Sequence, residues 1–139
     1  MLWQTSPAAT EVEGRMVDWL RQALGLSDRF TGVLQDSASS ATLSAVLTMR
    51  ERATARTGSS AGLNGLGRLR VYCSDQVHSS IDRAVAVTGI GRDNLVKIAG
   101  EGPYHGMDAT ALDAAIRDDI AAGYTPAGVI AITLSLIHI

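Results

Sequence analysis

One lysine, one cysteine and three histidines are all that this 139-residue chain holds of those residue types, and the scarcity narrows its chemistry. A single thiol, Cys73, excludes an internal disulfide framework and suits a reducing cytoplasm. Cys73, His78, His105 and His138 show no zinc-type spacing. No apolar run approaches the roughly 20 residues of a membrane span. The first residues, MLWQTSPAATE, lack the basic and apolar regions of a secretory signal. A formal net charge of -2 gives no electrostatic footprint for nucleic acid or an anionic membrane. Gly-x-Gly-x-x-Gly, P-loop and Ser/His/Asp arrangements are missing, as are internal repeats and low-complexity tracts. What is present is 46% hydrophobic, enough for one core, and the expectation is a cytoplasmic domain.

The pattern along the chain is helical first and alternating later. Ser6-Pro7 forms a helix start, and Val12, Met16, Leu20 and Leu24 then recur every four residues as one apolar stripe ending near Gly25. FTGVLQ is a short apolar segment, read as a strand, that stops at Asp36. A second helix should begin around Ser37–Ser39 and turn Leu43, Val46 and Leu47 inward, with a charged, solvated far end at MRERATAR. TGSSAGLNGLG, residues 57–67, reads as a flexible surface loop inside one domain. Beyond it come a strand (RLRVYC), a helix marked by Ile81, Ala84 and Val85, a strand (NLVKIAG), a helix capped by Asp108, and a strand (PAGVIAIT). The inner face of the last helix is Leu112, Ala115, Ile116 and Ile120. Strand and helix in alternation predict an α/β fold with a parallel sheet and helices on both faces.

Ligands of open α/β sheets collect outside the carboxyl ends of the strands, and two corners meet that rule. In QDSASSAT, residues 35–42, small residues lead into a helix. Its N-terminal N–H groups suit a phosphate, Ser37 and Ser39 add hydroxyls, and Ala38 lets the backbone approach. The plainer alternative is an ordinary Asp/Ser helix cap, and Asp36 opposes an anion unless its side chain turns away. In VYCSDQVHSS, residues 71–80, His78 follows a strand end where a helix should start; its plainer alternative is a hydrogen-bonded loop residue, and that of Asp75 a turn residue. Together the corners offer a phosphate cradle and an aromatic plate, as an aromatic phosphate ester requires. Lys97 reads as a sheet-surface residue, Asp118 and Asp119 as a solvated helix face, His105 as a loop residue and Cys73 as core.

These segments resemble the pyridoxal-phosphate-dependent amino-acid decarboxylases of the aromatic-amino-acid and tyrosine decarboxylase group. SPAATEVEGRMVDWL is similar to that family's Ser-Pro-Ala-x-Thr-Glu helix leading into Asp-Trp-Leu. GVLQDSASSATLSAVLTMRERA is similar to its Gln-Gly-(Ser/Thr)-Ala-Ser-Glu-Ala segment, and VYCSDQVHSSIDRA to its Ser-Asp-Gln-x-His-Ser-Ser segment. The likeness continues through MDATALDAAIRDDIAAGYTPAGVIA, so it runs from about Trp3 to Ala131. Asp36 stands where the family usually has glycine, and Ser40 where it usually has glutamate. The resemblance implies part of a fold-type I large domain, truncated at both ends, with pyridoxal 5'-phosphate as cofactor. Ser37, Ala38 and Ser39 would hold its phosphate, and His78 would stack on its ring and orient the amino-acid substrate or protonate the carbanion. It also implies a homodimer with active sites at the subunit interface.

The resemblance further places a Schiff-base lysine, and an aspartate for the ring nitrogen, downstream of the segments present here. Residues 1–133 are therefore expected to form a partial cofactor-binding domain, inactive alone. LSLIHI, residues 134–139, is readable as the translation of a transposon end used in sequencing libraries, and is expected to be a non-native tail. The rival of a different class is a self-contained phosphate- or nucleotide-binding α/β module without catalysis. A stable monomer with a covered sheet favours the rival, and exposed apolar surface with aggregation favours the fragment.

Overall fold

The computed structural model describes residues 3–103 and 105–131. The chain forms two compact units, residues 1–41 and 42–139, and one helix begins in the first and continues in the second. The expected tail, residues 134–139, lies outside the described residues.

The first unit is built on α1 (Pro7–Ala23). Pro7 occupies the first helical position, where its missing N–H costs nothing. Ser6 is the cap residue, but its hydroxyl makes no capping bond; its carbonyl instead accepts from the Thr10 amide at 3.1 Å and hydroxyl at 2.8 Å. The apolar stripe is present and uncovered: Val12, Met16, Leu20 and Leu24 are 48% to 64% exposed. The buried residue of α1 is Glu13, whose carboxylate accepts from the Leu34 amide at 2.8 Å. That bond anchors the segment after α1. Residues 30–35 form no strand, contrary to expectation, and Phe30, Val33 and Leu34 are more than half exposed. A strand needs a partner for its backbone groups, and none of the described strands pairs with this segment.

The second unit holds a three-stranded parallel sheet in the order β2-β1-β5, made of β1 (Leu69–Ser74), β2 (Leu95–Ile98) and β5 (Thr125–Ile130). β1 lies between the other two and is buried almost throughout, as its near-continuous apolar run requires. Val71 faces Leu95 on one side and Gly128 on the other. α2 (Ala38–Ala53) and α4 (Ser80–Val87) contribute Val46, Ala84 and Val85 to a core with Leu69, Val71 and Ile90. Each such burial contributes roughly 1.5–3 kcal/mol for a residue the size of valine or leucine. Gly128 lets α2 approach β5, because a Cβ there would stand 2.6 Å from Met49 Sδ. α5 (Ala109–Ala121) lies on the other sheet face, where Tyr72 points, so helices lie on both faces as expected; none of its residues is buried, and Ile120, expected on its inner face, is 55% exposed. Asp108 caps α5 by accepting from the Thr110 amide at 2.7 Å, and Gly123, at φ +84°, turns the chain out after it.

Two local expectations change, and a third, His105 as a loop residue, holds. The 57–67 segment contains a short helix, α3 (Thr57–Ala61), with Gly58 buried against Thr54. The far end of α2 is tied down: Arg50 donates to the Thr88 carbonyl at 2.9 Å and pairs with Glu51, which accepts from the Ser59 amide at 3.1 Å. The glycine-rich connection after β2 forms a two-residue antiparallel pair, β3 (Gly100–Glu101) with β4 (Gly106–Met107), and His105 sits in its turn at φ +49°.

Candidate functional site

The start of α2 is closed by its own serines. Ser37 Oγ accepts from the Ser40 amide, and Ser40 Oγ accepts from the Ser37 amide, each at 3.2 Å. That reciprocal pair is a capping box with serine in the position that glutamate or glutamine usually fills. The two hydroxyls also meet at 3.0 Å, and Ser40 Oγ donates to the Asp36 carboxylate. The Ser37 hydroxyl is thereby consumed as cap.

A phosphate needs N–H and O–H donors at such an end. The amides of Ala38 and Ser39 and the Ser39 hydroxyl are exposed and have no hydrogen-bond partner among the described residues. They are two successive amides at the positive end of a 16-residue helix. This donor set fits a phosphate; the Asp36 carboxylate beside it does not. Of the three residues expected here, Ala38 and Ser39 remain open and Ser37 is occupied.

His78 belongs to the second unit, four residues past the end of β1. Ser74 Oγ accepts from the Gln76 amide at 3.1 Å, which turns the chain off the strand. The Asp75 amide donates to the Ile98 carbonyl at 2.9 Å and holds that turn to β2. His78 Nδ1 then accepts from the Ser80 amide at 3.2 Å, the first residue of α4, and lies 3.1 Å from the Ser80 hydroxyl. A ring that accepts at Nδ1 carries its proton on Nε2 when neutral. The imidazole is thus fixed at one nitrogen, exposed, and able to donate from the other.

Other titratable groups near the sheet are engaged. Lys97 pairs with Asp82 of α4 at 3.0 Å. Burial pushes the Cys73 thiol up to about 11, with Lys97 opposing the shift. Asp119, expected on a solvated face, is 16% exposed and takes part in a network. Its carboxylate accepts from Tyr72 Oη at 2.9 Å and lies 3.4 Å from Arg70 Nε. Burial first, then the Asp119 bond, drives the Tyr72 phenol well above its usual range. The Arg70 guanidinium rests 4.0 Å from the centre of the Tyr124 ring, with Arg68 at 4.6 Å. The inward position of Asp119, though not its partners, could have been read from spacing: it falls three residues after Ile116 and seven after Leu112, on the inner stripe. Among the described residues no group of three or more His, Cys, Asp or Glu could hold a metal ion. No described helix is long and apolar enough to cross a membrane.

The chain is 40% identical over 141 residues to the aromatic-L-amino-acid decarboxylase of Sus scrofa, covering 93% of this chain and 28% of that protein. It is 39% identical over 132 residues to tyrosine decarboxylase 2 of Arabidopsis thaliana, covering 89% and 23%. The chain thus spans about a quarter of the length of these relatives. The crystal structure of Oryza sativa TDC with PLP and tryptamine is similar at a TM-score of 0.78 and 37% identity, over 91% of this chain and 27% of that one. The model of the pyridoxal-dependent decarboxylase conserved domain matches residues 1–135. The chain belongs to the pyridoxal-dependent decarboxylase family.

Proposed function

We propose that this chain is the phosphate- and ring-holding part of a decarboxylase that uses pyridoxal 5'-phosphate and releases carbon dioxide from an aromatic or related L-amino acid. The observation that carries the reading is the open donor set at the start of α2, two unpartnered amides and the Ser39 hydroxyl. Membership of the family and the likeness to decarboxylases of aromatic amino acids support it. In this reading Ala38 and Ser39 hold the cofactor phosphate, while Ser37 keeps the turn in shape. His78 stacks its imidazole on the cofactor ring and uses its Nε2–H to orient the substrate carboxylate or return a proton. The bound cofactor draws electrons from the substrate α-carbon, so that the carboxylate can leave.

Lys97 is the only lysine in the sequence and is paired with Asp82 on the sheet. The lysine that links to the cofactor therefore belongs to another segment of the whole protein, and this chain alone is inactive. The whole protein is a cytoplasmic homodimer in the same reading. The test is to extend the reading frame past Thr133 in the source DNA, express the complete protein and supply tyrosine, tryptophan and glutamate with the cofactor. Amine and carbon dioxide are expected from an aromatic substrate. A complete, folded protein that releases neither from tyrosine or tryptophan overturns the reading.

A further inference from the structure

Two residues at the start of α2, Asp36 and Ser40, are in contact with each other. They lie four positions apart, one helical turn, and the Ser40 hydroxyl donates to the Asp36 carboxylate. Ser40 also accepts from the Ser37 amide at 3.2 Å, so it holds the helix cap and the carboxylate at once. We infer that Asp36 is an internal competitor for the cofactor phosphate, fixed by Ser40 at the end of α2 whose free amides would bind that phosphate. The inference rests on the reading of Ala38 and Ser39 as the phosphate cradle.

The physical argument is one of charge. A helix N-terminus attracts one negative group strongly, because its unpaired N–H dipoles add up. Here a carboxylate of the chain already stands there, one residue before the cap. A phosphate brought to the Ala38 and Ser39 amides meets the like charge of a carboxylate held at the same helix end, and at an exposed site this weakens binding by about tenfold.

The experiment uses the apo form of the complete protein and reads cofactor binding by absorbance, not activity. Pyridoxal 5'-phosphate and pyridoxal, which lacks the phosphate, are each titrated into the natural protein, Asp36→Asn and Ala38→Leu. Asparagine keeps an oxygen for the Ser40 hydroxyl and removes the charge, so folding is retained and a melting curve checks it. The expected result is a Kd for pyridoxal 5'-phosphate about tenfold lower in Asp36→Asn, with pyridoxal within twofold. Ala38→Leu crowds the cradle and should weaken the phosphate ester alone. If Asp36→Asn leaves both affinities unchanged while Ala38→Leu weakens the ester, the competitor role is overturned and the cradle stands. If neither variant changes the preference for the ester over pyridoxal, the cradle falls and the inference with it.

Discussion

Two side chains in this protein show how position on a backbone sets chemical role. His78 is exposed, and its Nδ1 is engaged by the amide of Ser80, so its ring is oriented without being buried. In the complete protein His78→Ala should cut turnover about 100-fold, the lower range for a positioned proton-transfer group. His78→Phe keeps an aromatic plate and should bind cofactor almost normally while staying slow. Amine formation and cofactor titration, run on both variants, separate stacking from proton transfer; unchanged turnover in His78→Ala would remove the histidine from the mechanism. Cys73 is the opposite case, fully buried and with its thiol raised from 9.0 to about 11. The folded state therefore favours the protonated thiol. The stability this contributes is intact below about pH 9 and is lost as pH rises through about 11. Denaturation midpoints measured from pH 8 upward should fall along that limb, and less steeply in Cys73→Ala. A thiol reagent at neutral pH should label Cys73 only after unfolding.

Among the elements, the helix starts divide by what their caps leave free. The Asp108 carboxylate satisfies the Thr110 amide of α5, so Asp108→Ala should cost about 1 kcal/mol in denaturant titrations. A loss near zero would show that the Asp108 bond adds nothing to the start of α5. α2 is capped too, by the Ser37–Ser40 box, yet two amides stay open in front of it. Residues 35–42 were legible as a cap or a phosphate site, since small polar residues before an apolar run serve both uses. The sequence could not reveal that Ser40 would take the capping role and leave Ser39 free. That outcome depends on side-chain angles.

For the chain as a whole, what matters is where its apolar surface goes. Among the described residues, the buried apolar ones all lie in the second unit, from Val46 to Ile98. Trp19, Val12, Leu20 and Leu24 of α1 stay more than half exposed, as do Phe30, Val33 and Leu34 after it. Such a surface self-associates in water. The isolated 139-residue chain should therefore sediment as concentration-dependent oligomers, whereas a single monomeric species at all concentrations would favour the self-contained module. Val46→Ala, at the centre of the core, should cost about 2–3 kcal/mol, more than Ile→Val truncations usually do.

The sequence by itself determined the parallel α/β class, the order of β1, α4, β2, α5 and β5, the helix start at Ser37–Ser39 and the strand-to-helix corner at His78. These are local or periodic properties, set by alternation, by glycine and by cap residues within a few positions of one another. Only the tertiary structure decided which groups at those corners have partners. It joined Asp119 to Tyr72 across 47 positions of sequence, tied Arg50 to the carbonyl of Thr88, and left residues 30–35 without a strand to pair with. Such pairings depend on elements far apart in the chain, and no window of neighbouring residues contains them.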